Sequence, residues 1–135
     1  MVGERAGRTS RQLSGDAAEA LTARLLSERG WKILGRNVHC GRSELDIVAV
    51  DPGPPARLVV VEVRYRRSSE FGSPEETFDR GKRASLRRGI GRLLDVATLP
   101  DGTPLPRLPL AVDLVAIEPG PKGSRVRLYR DVLPG

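Results

Sequence analysis

Asp46 and Glu62 are the residues of this chain whose type and spacing could do chemistry together. Each interrupts a run rich in Val, Ile and Leu, Glu44–Val50 and Leu58–Tyr65, and such runs read as strands. Between them Asp51-Pro52-Gly53-Pro54-Pro55 forms a strong turn. A hairpin symmetric about Pro54 sets Val50 opposite Leu58, Val48 opposite Val60, Asp46 opposite Glu62 and Glu44 opposite Arg64. Residues two apart on a strand share a face, so Glu44, Asp46, Glu62 and Arg64 are all expected on one side. Directly opposed Cβ atoms lie about 4.5–5.5 Å apart. Two carboxylates that close repel unless a proton or a cation sits between them. Hard oxygen ligands at this spacing suit Mg²⁺ or Mn²⁺. The reading hangs on the register, because a slip of one residue turns every side chain to the other face.

Plainer readings compete for the neighbouring charges. Glu44 with Arg64 also fits a simple cross-strand ion pair. Glu19 also fits the capping-box partner of Asp16. The Asp46–Glu62 pair is harder to assign to structure alone, since carboxylates among Val and Ile cost stability.

These residues need elements to hold them. Asp16–Arg29 is expected to be a helix, with Ala18, Leu21, Leu25 and Leu26 on one stripe, Asp16 as N-cap and Gly30 as the stop. Trp31–Asn37 is expected to be a short strand or extended lead-in, and His39–Ser43 a turn. In the first main strand Leu45, Ile47 and Ala49 point to one face, and Val48 and Val50 to the other. Leu58–Val61 is apolar on both faces, which places that strand inside a sheet covered by helices. The fold class is therefore α/β, in mixed α+β layers. Ser68–Phe78 reads as a loop, with Ser73–Glu76 able to cap a turn. A second helix starts at Asp79, because Gly81 weakens any longer one. Its apolar positions are Leu86, Ile90, Leu93, Leu94 and Ala97, and Lys82, Arg83, Arg87, Arg88 and Arg92 make the rest of its surface basic. A Pro-rich loop, Leu99–Pro109, leads to a hairpin of Leu110–Ile117 and Arg125–Val132 around Pro119–Ser124. Residues 1–14, rich in Gly, Arg and Ser, read as a flexible basic arm, and residues 15–135 as a single domain.

The bulk figures narrow the function. The chain has 135 residues, 39% of them hydrophobic, enough for one core and not for two. Its net charge of +6 favours a polyanionic partner, nucleic acid before an anionic membrane. One cysteine, Cys40, excludes an internal disulfide, and with a single histidine, His39, it cannot build a zinc site. No apolar run reaches the roughly 18 residues of a membrane span, and Met1–Leu13 has no secretory core, so the expected location is cytoplasmic. There is no Gly-rich phosphate loop, no Ser/His/Asp set and no aromatic ladder for stacking bases, which argues against an NTPase, a triad hydrolase or an RRM-type RNA reader. The expected partner is nucleic acid, DNA first, with a homodimer left open.

Several blocks resemble one known family. Gly15-Asp16-Ala17-Ala18-Glu19-Ala20 and Gly30-Trp31-Lys32-Ile33-Leu34-Gly35-Arg36-Asn37 resemble the start of the YraN family, an uncharacterised endonuclease-like family. Ser43-Glu44-Leu45-Asp46-Ile47-Val48-Ala49 is similar to its Gly-Glu-Ile-Asp-Leu-Ile-Ala block, and Val61-Glu62-Val63-Arg64-Tyr65-Arg66 to its Val-Glu-Val-Lys-x-Arg block. Phe71-Gly72-Ser73-Pro74-Glu75-Glu76, then Lys82-Arg83 and Leu86, continue the order, with a weaker echo at Val112-Asp113-Leu114-Val115. The match covers roughly Asp16 to Leu94. The resemblance implies a restriction-endonuclease-like fold, a central mixed sheet flanked by helices, related to Holliday-junction resolvases. It implies a site of Asp46, Glu62 and Arg64 with Glu19 from the first helix, and Mg²⁺ or Mn²⁺ held by Asp46, Glu62 and the carbonyl of Val63. The implied activity is metal-dependent cleavage of DNA phosphodiesters, with branched or structured DNA as a candidate substrate. One departure counts against it: the family lysine is Arg64 here, and arginine cannot pass a proton. That shifts weight toward a nucleic-acid-binding module with a vestigial site. Lys82 could compensate if the second helix turned its first turn toward the site; otherwise it is one more solvated charge. A third reading is a small interaction protein using its charge only for solubility.

Overall fold

The computed structural model describes residues 15–65 and 79–133. The expected arm and the expected loop Ser68–Phe78, with its cap at Ser73–Glu76, lie outside the described residues. Helix α1 spans Gly15–Glu28 and buries Ala18, Glu19, Thr22 and Leu26 along one stripe. Asp16 lies inside its first turn and not ahead of it, so the expected capping box does not form. The C-terminal stop does form. Gly30, at φ +90, lets its own N–H reach Ser27 O and the Trp31 N–H reach Leu26 O, both at 3.0 Å, which satisfies carbonyls that the helix leaves open.

Strand β1 (Lys32–Cys40) forms a hairpin with β2 (Ser43–Asp51) across Gly41 and Arg42. The expected strand ended at Asn37 and gave His39 and Cys40 to a turn. The strand runs on because β1 lies at the sheet edge, where exposed Lys32, Arg36 and His39 dilute the apolar signal that marks an inner strand. Cys40 closes it as a buried thiol, and burial pushes its pKa up.

β2 and β3 (Arg57–Tyr65) pair antiparallel, with Val48 opposite Val60 and Val50 opposite Leu58. This is the register that the symmetric turn predicts. The expected alternation fails at one point. Leu45 packs with Val48 on one face, whereas Ile47 and Ala49 pack on the other. The cause lies across the ladder in β1, where Val38 faces Leu45 and Arg36 faces Ile47. Asn37 between them is left-handed, at φ +50, and opposes Asp46. A left-handed residue breaks the regular pleat, and both strands change face there.

Helix α2 (Arg80–Val96) carries the chain from β3 to β4 (Leu110–Gly120), which pairs parallel to β3. β5 (Gly123–Tyr129) closes the sheet antiparallel to β4. The strand order is β1-β2-β3-β4-β5. One face holds Ala18, Leu26 and Trp31 against Ile47, Val59 and Val61. The other holds Leu86, Ile90 and Leu93 of α2 against Leu45, Val48 and Val60. This is the expected mixed α/β layering of the restriction-endonuclease-like type. α2 begins within a residue of the expected start: Asp79 is its cap and not its first residue, its side chain accepting the Lys82 N–H at 2.8 Å. Leu94, expected in the core, is 47% exposed, and Ala97 is the left-handed cap residue at the helix end. Gly89 takes the buried position instead, because α2 rides closely over Ser43.

Arg130 ties the far end of the sheet together. Its guanidinium lies 2.6 Å from Asp51 Oδ2 and 2.7 Å from Asp113 Oδ2, and over the Trp31 ring at 5.4 Å. Among the described residues no helix is long and apolar enough to cross a membrane.

The α2–β2 contact gives a paired test. A Cβ at Gly89 would stand 2.8 Å from Ser43 Cβ, whereas one at Gly91 meets nothing within 4 Å. Urea denaturation of Gly89→Ala should show a loss of about 1–2 kcal/mol, overpacking outweighing helix propensity. Gly91→Ala should gain about 0.5–1 kcal/mol. A stabilised Gly89→Ala would mean that α2 does not sit this close.

Candidate functional site

The β2–β3 ladder ends at Ile47 opposite Val61. One step further Asp46 makes a different contact: its Oδ2 accepts the Val63 N–H at 2.8 Å. The carboxylate thus meets a backbone donor of the neighbouring strand. Two glutamates approach it from the two layers of the fold. Glu19 comes from α1, buried to 7% exposure, and Glu62 from β3, buried to 1%. Glu62 alternates with Val61 and Val63 and so shares the α2 side with Val60.

Crowding shows in the proton affinities. Glu62 is pushed up to about 7, first by burial and then by repulsion from Asp46, against the pull of Lys82 and Arg64. Glu19 is also pushed up to about 7, by burial, by Asp46 charge and by a hydrogen bond with it, against Arg36. One oxygen of each glutamate, Oε1, is buried without a hydrogen-bond partner. Buried carboxylate oxygens are seldom left so.

The sequence-predicted residues are placed as follows. Asp46, Glu62 and Glu19 come together, Glu19 as a buried site residue and not as a capping partner. Val63 joins through its N–H. Glu44 does not pair with Arg64; it lies 3.2 Å from His39 Nε2, because the face change at Asn37 and Asp46 parts it from β3. Arg64 Nη2 lies 3.4 Å from Glu62 Oε2. Lys82, expected among the solvated charges of α2, places Nζ 2.8 Å from that same oxygen. The Asp79 cap fixes the first turn of α2 and so aims Lys82 at the site; the start of the helix was readable in the sequence, its aim was not. Arg87, Arg88 and Arg92 remain exposed on α2, and Arg83 donates its backbone N–H to Asp79 O at 2.9 Å.

Among the described residues no three His, Cys, Asp or Glu side chains form a cage able to hold a metal unaided. The donors present still fit a hard cation. Mg²⁺ binds through one or two carboxylates and keeps several waters. Asp46 and Glu62 supply two carboxylates, and the unpartnered Glu62 Oε1 is an open acceptor.

The chain matches the model of a family described as Uncharacterised protein family UPF0102 over residues 18–117. It is 37% identical over 114 residues to a UPF0102 protein of Roseiflexus castenholzii, covering 84% of this chain and 86% of that protein. It is 36% identical over 118 residues to one from Symbiobacterium thermophilum, covering 87% and 92%. A relative from Moorella thermoacetica is 43% identical over 79 residues, covering 58% and 63%. The family match takes in Glu19, Asp46, Glu62, Arg64 and Lys82, and ends before β5.

The raised glutamates fix a sign for pH dependence. Glu19 and Glu62 move from 4.5 to about 7 in the folded protein. Between those values the folded state holds more protons than the unfolded one, so these two groups make stability fall as pH rises. In chelator, melting temperature should drop across this window, and Glu62→Gln should flatten the drop. A Glu62→Gln variant with the full wild-type slope would remove Glu62 from the account.

Proposed function

The chain belongs to the uncharacterised protein family UPF0102, the YraN family, and from that premise we propose that it is a metal-dependent endonuclease acting on DNA phosphodiesters in the cytoplasm. The observation that carries the reading is the state of Glu62. It is a carboxylate 1% exposed, repelled by Asp46, faced by two cations, and left with one oxygen unpartnered. A purely structural residue there would be replaced at a gain, since well-packed apolar groups often stabilise more than buried charge.

Asp46 and Glu62, with the main-chain carbonyl of Val63, are the groups that would hold Mg²⁺ or Mn²⁺. When bound, the ion supplies Lewis acidity toward a phosphoryl oxygen and neutralises the two carboxylates. The chain's own cations divide the remaining work. Arg64 keeps its charge at all working pH and offers N–H donors to a phosphate oxygen. Lys82 is the other cation on Glu62, and its compact ammonium can orient a water or a phosphate oxygen beside the carboxylates. The function lost by having Arg64 in place of the family lysine is thus available from α2. Glu19, on the far side of Asp46, can hold or release a proton near neutral pH. The exposed Arg87, Arg88 and Arg92 offer phosphate contacts along α2. By the family resemblance, branched or structured DNA is the substrate class to try first.

The second reading, a DNA-binding module with a vestigial site, is favoured by one observation: Lys82 at 2.8 Å already neutralises Glu62. A cleavage assay separates the two. Linear, flapped and four-way-junction DNA incubated with Mg²⁺ or Mn²⁺ should be nicked by wild type and not by Asp46→Ala. Lys82→Ala should slow cleavage about 10²–10³-fold, the usual worth of one positioned donor at developing charge, and Arg64→Lys should change it only a few-fold. Binding without cleavage of any DNA form would leave the module as the better account. Equal cleavage by wild type and Asp46→Ala would reject the site.

A further inference from the structure

β5 carries two arginines that the acidic site does not use. Register places them. Arg64 on β3 faces Ala116 on β4, and Ala116 faces Arg127 on β5. Glu118 on β4 faces Arg125. Residues 115 and 117 pack on the α1 side with Val59 and Val61, so Ala116, Glu118, Arg125 and Arg127 lie on the α2 side, with Glu62 and Arg64. Neighbouring strands are about 4.8 Å apart, so Arg127 stands roughly 10 Å from Arg64 across the sheet, backbone to backbone.

The local charge balance leaves an excess of positive charge on β5. Among the described residues the counter-charge beside both arginines is Glu118, 2% exposed, with Arg125 Nη1 at 3.6 Å and Arg127 Nη2 at 3.7 Å from the same Oε1. Both distances exceed a hydrogen bond, and that oxygen has no hydrogen-bond partner. One buried negative charge therefore orients two guanidiniums, with Tyr129 also hydrogen-bonded to Arg127. Both side chains are nearly half exposed, at 45% and 46%. A fixed, solvent-facing pair of guanidiniums on the same face as the acidic site suits successive phosphates better than it suits an internal ion pair.

We propose that Arg125 and Arg127 form a phosphate-contact track on β5, so that a nucleic-acid strand leaving the acidic site crosses the sheet from Arg64 over β4 to the β5 edge. The inference rests on the DNA reading above and adds the path that the strand takes. β5 lies outside the segment that the family model matches. Glu118 is its positioning residue. The competing role for charge on an edge strand is to deter strand-to-strand association.

The test is fluorescence anisotropy of a labelled DNA duplex and a labelled four-way junction, titrated over a range of salt. Removing both guanidiniums would strand Glu118, so the variant is the triple Arg125→Gln, Arg127→Gln, Glu118→Gln, made beside Arg125→Lys, Arg127→Lys, with melting curves and light scattering for each. Each phosphate contact contributes about 0.9 to the slope of log K against log salt. The Gln variant should lose about 1.8 from that slope while staying folded and monodisperse, and the Lys variant should keep it. A wild type that binds with a steep slope and a Gln variant that matches it would overturn the track while leaving the DNA reading intact. Aggregation of the Gln variant with an unchanged slope would assign the arginines to edge protection instead. A wild type that binds neither DNA would overturn the DNA reading and the track with it.

Discussion

Like charges held together out of water must each be given a reason to stay. Asp46, Glu19 and Glu62 meet at the end of one strand ladder, and each is held by a different partner. The Val63 N–H satisfies one oxygen of Asp46. Arg36 offsets Glu19, and Lys82 with Arg64 offsets Glu62. The partners come from β1, β3 and α2, so this one repulsion sets tolerances across the fold. α1 must end cleanly at Gly30 to bring β1 back under it. α2 must start at a fixed residue for Lys82 to reach Glu62. The ladder of β2 and β3 must stop where Asp46 turns to Val63. An element displaced by a turn would leave a buried carboxylate with no compensation at all, which costs far more than the element's own packing loses.

The hairpin register was legible because it is a local matter: a turn of known chemistry, flanked by apolar runs, admits few pairings. The start of α2 near Asp79 and the ending of α1 at Gly30 were legible for the same reason. What escaped the sequence depended on tertiary placement. β1 is an edge strand with polar residues at its open positions, and so carries a weak pattern. The change of face at Asp46 begins at Asn37, a residue that tolerates the left-handed region without advertising it. Lys82 was one of six basic residues on α2 with nothing in its spacing to set it apart; only the seating of α2 on β2 singles it out. Glu118 with Arg125 and Arg127 went unread because a carboxylate opposite an arginine in a hairpin is ordinary, and its burial is invisible from composition.

The charge that composition registers only as an excess has a distribution. Exposed arginines stand on α2 to one side of the β3 carboxylate and on β5 to the other, while the carboxylates themselves sit below the surface. A polyanion near this face would meet positive charge first and negative charge only where a cation or the half-buried Lys82 offsets it. Under the proposed DNA reading, that ordering would let an acidic site work on an acidic substrate, since the attraction acts at longer range than the repulsion.

At the opposite end of the sheet, Arg130 joins Asp51 and Asp113, residues 79 apart in the chain in the case of Asp51. Asp113 is fully buried in β4, and its backbone partner, the Asp131 N–H, also comes from beyond β5. Arg130 therefore bridges the antiparallel half, β1 to β3, and the parallel crossover. Asp51 also has Arg57 of its own half at 3.5 Å, whereas Asp113 is met by Arg130 and by the Asp131 N–H, both from the segment beyond β5. A substitution at this one arginine would therefore be felt in two places at once, the end of β2 and the buried interior of β4.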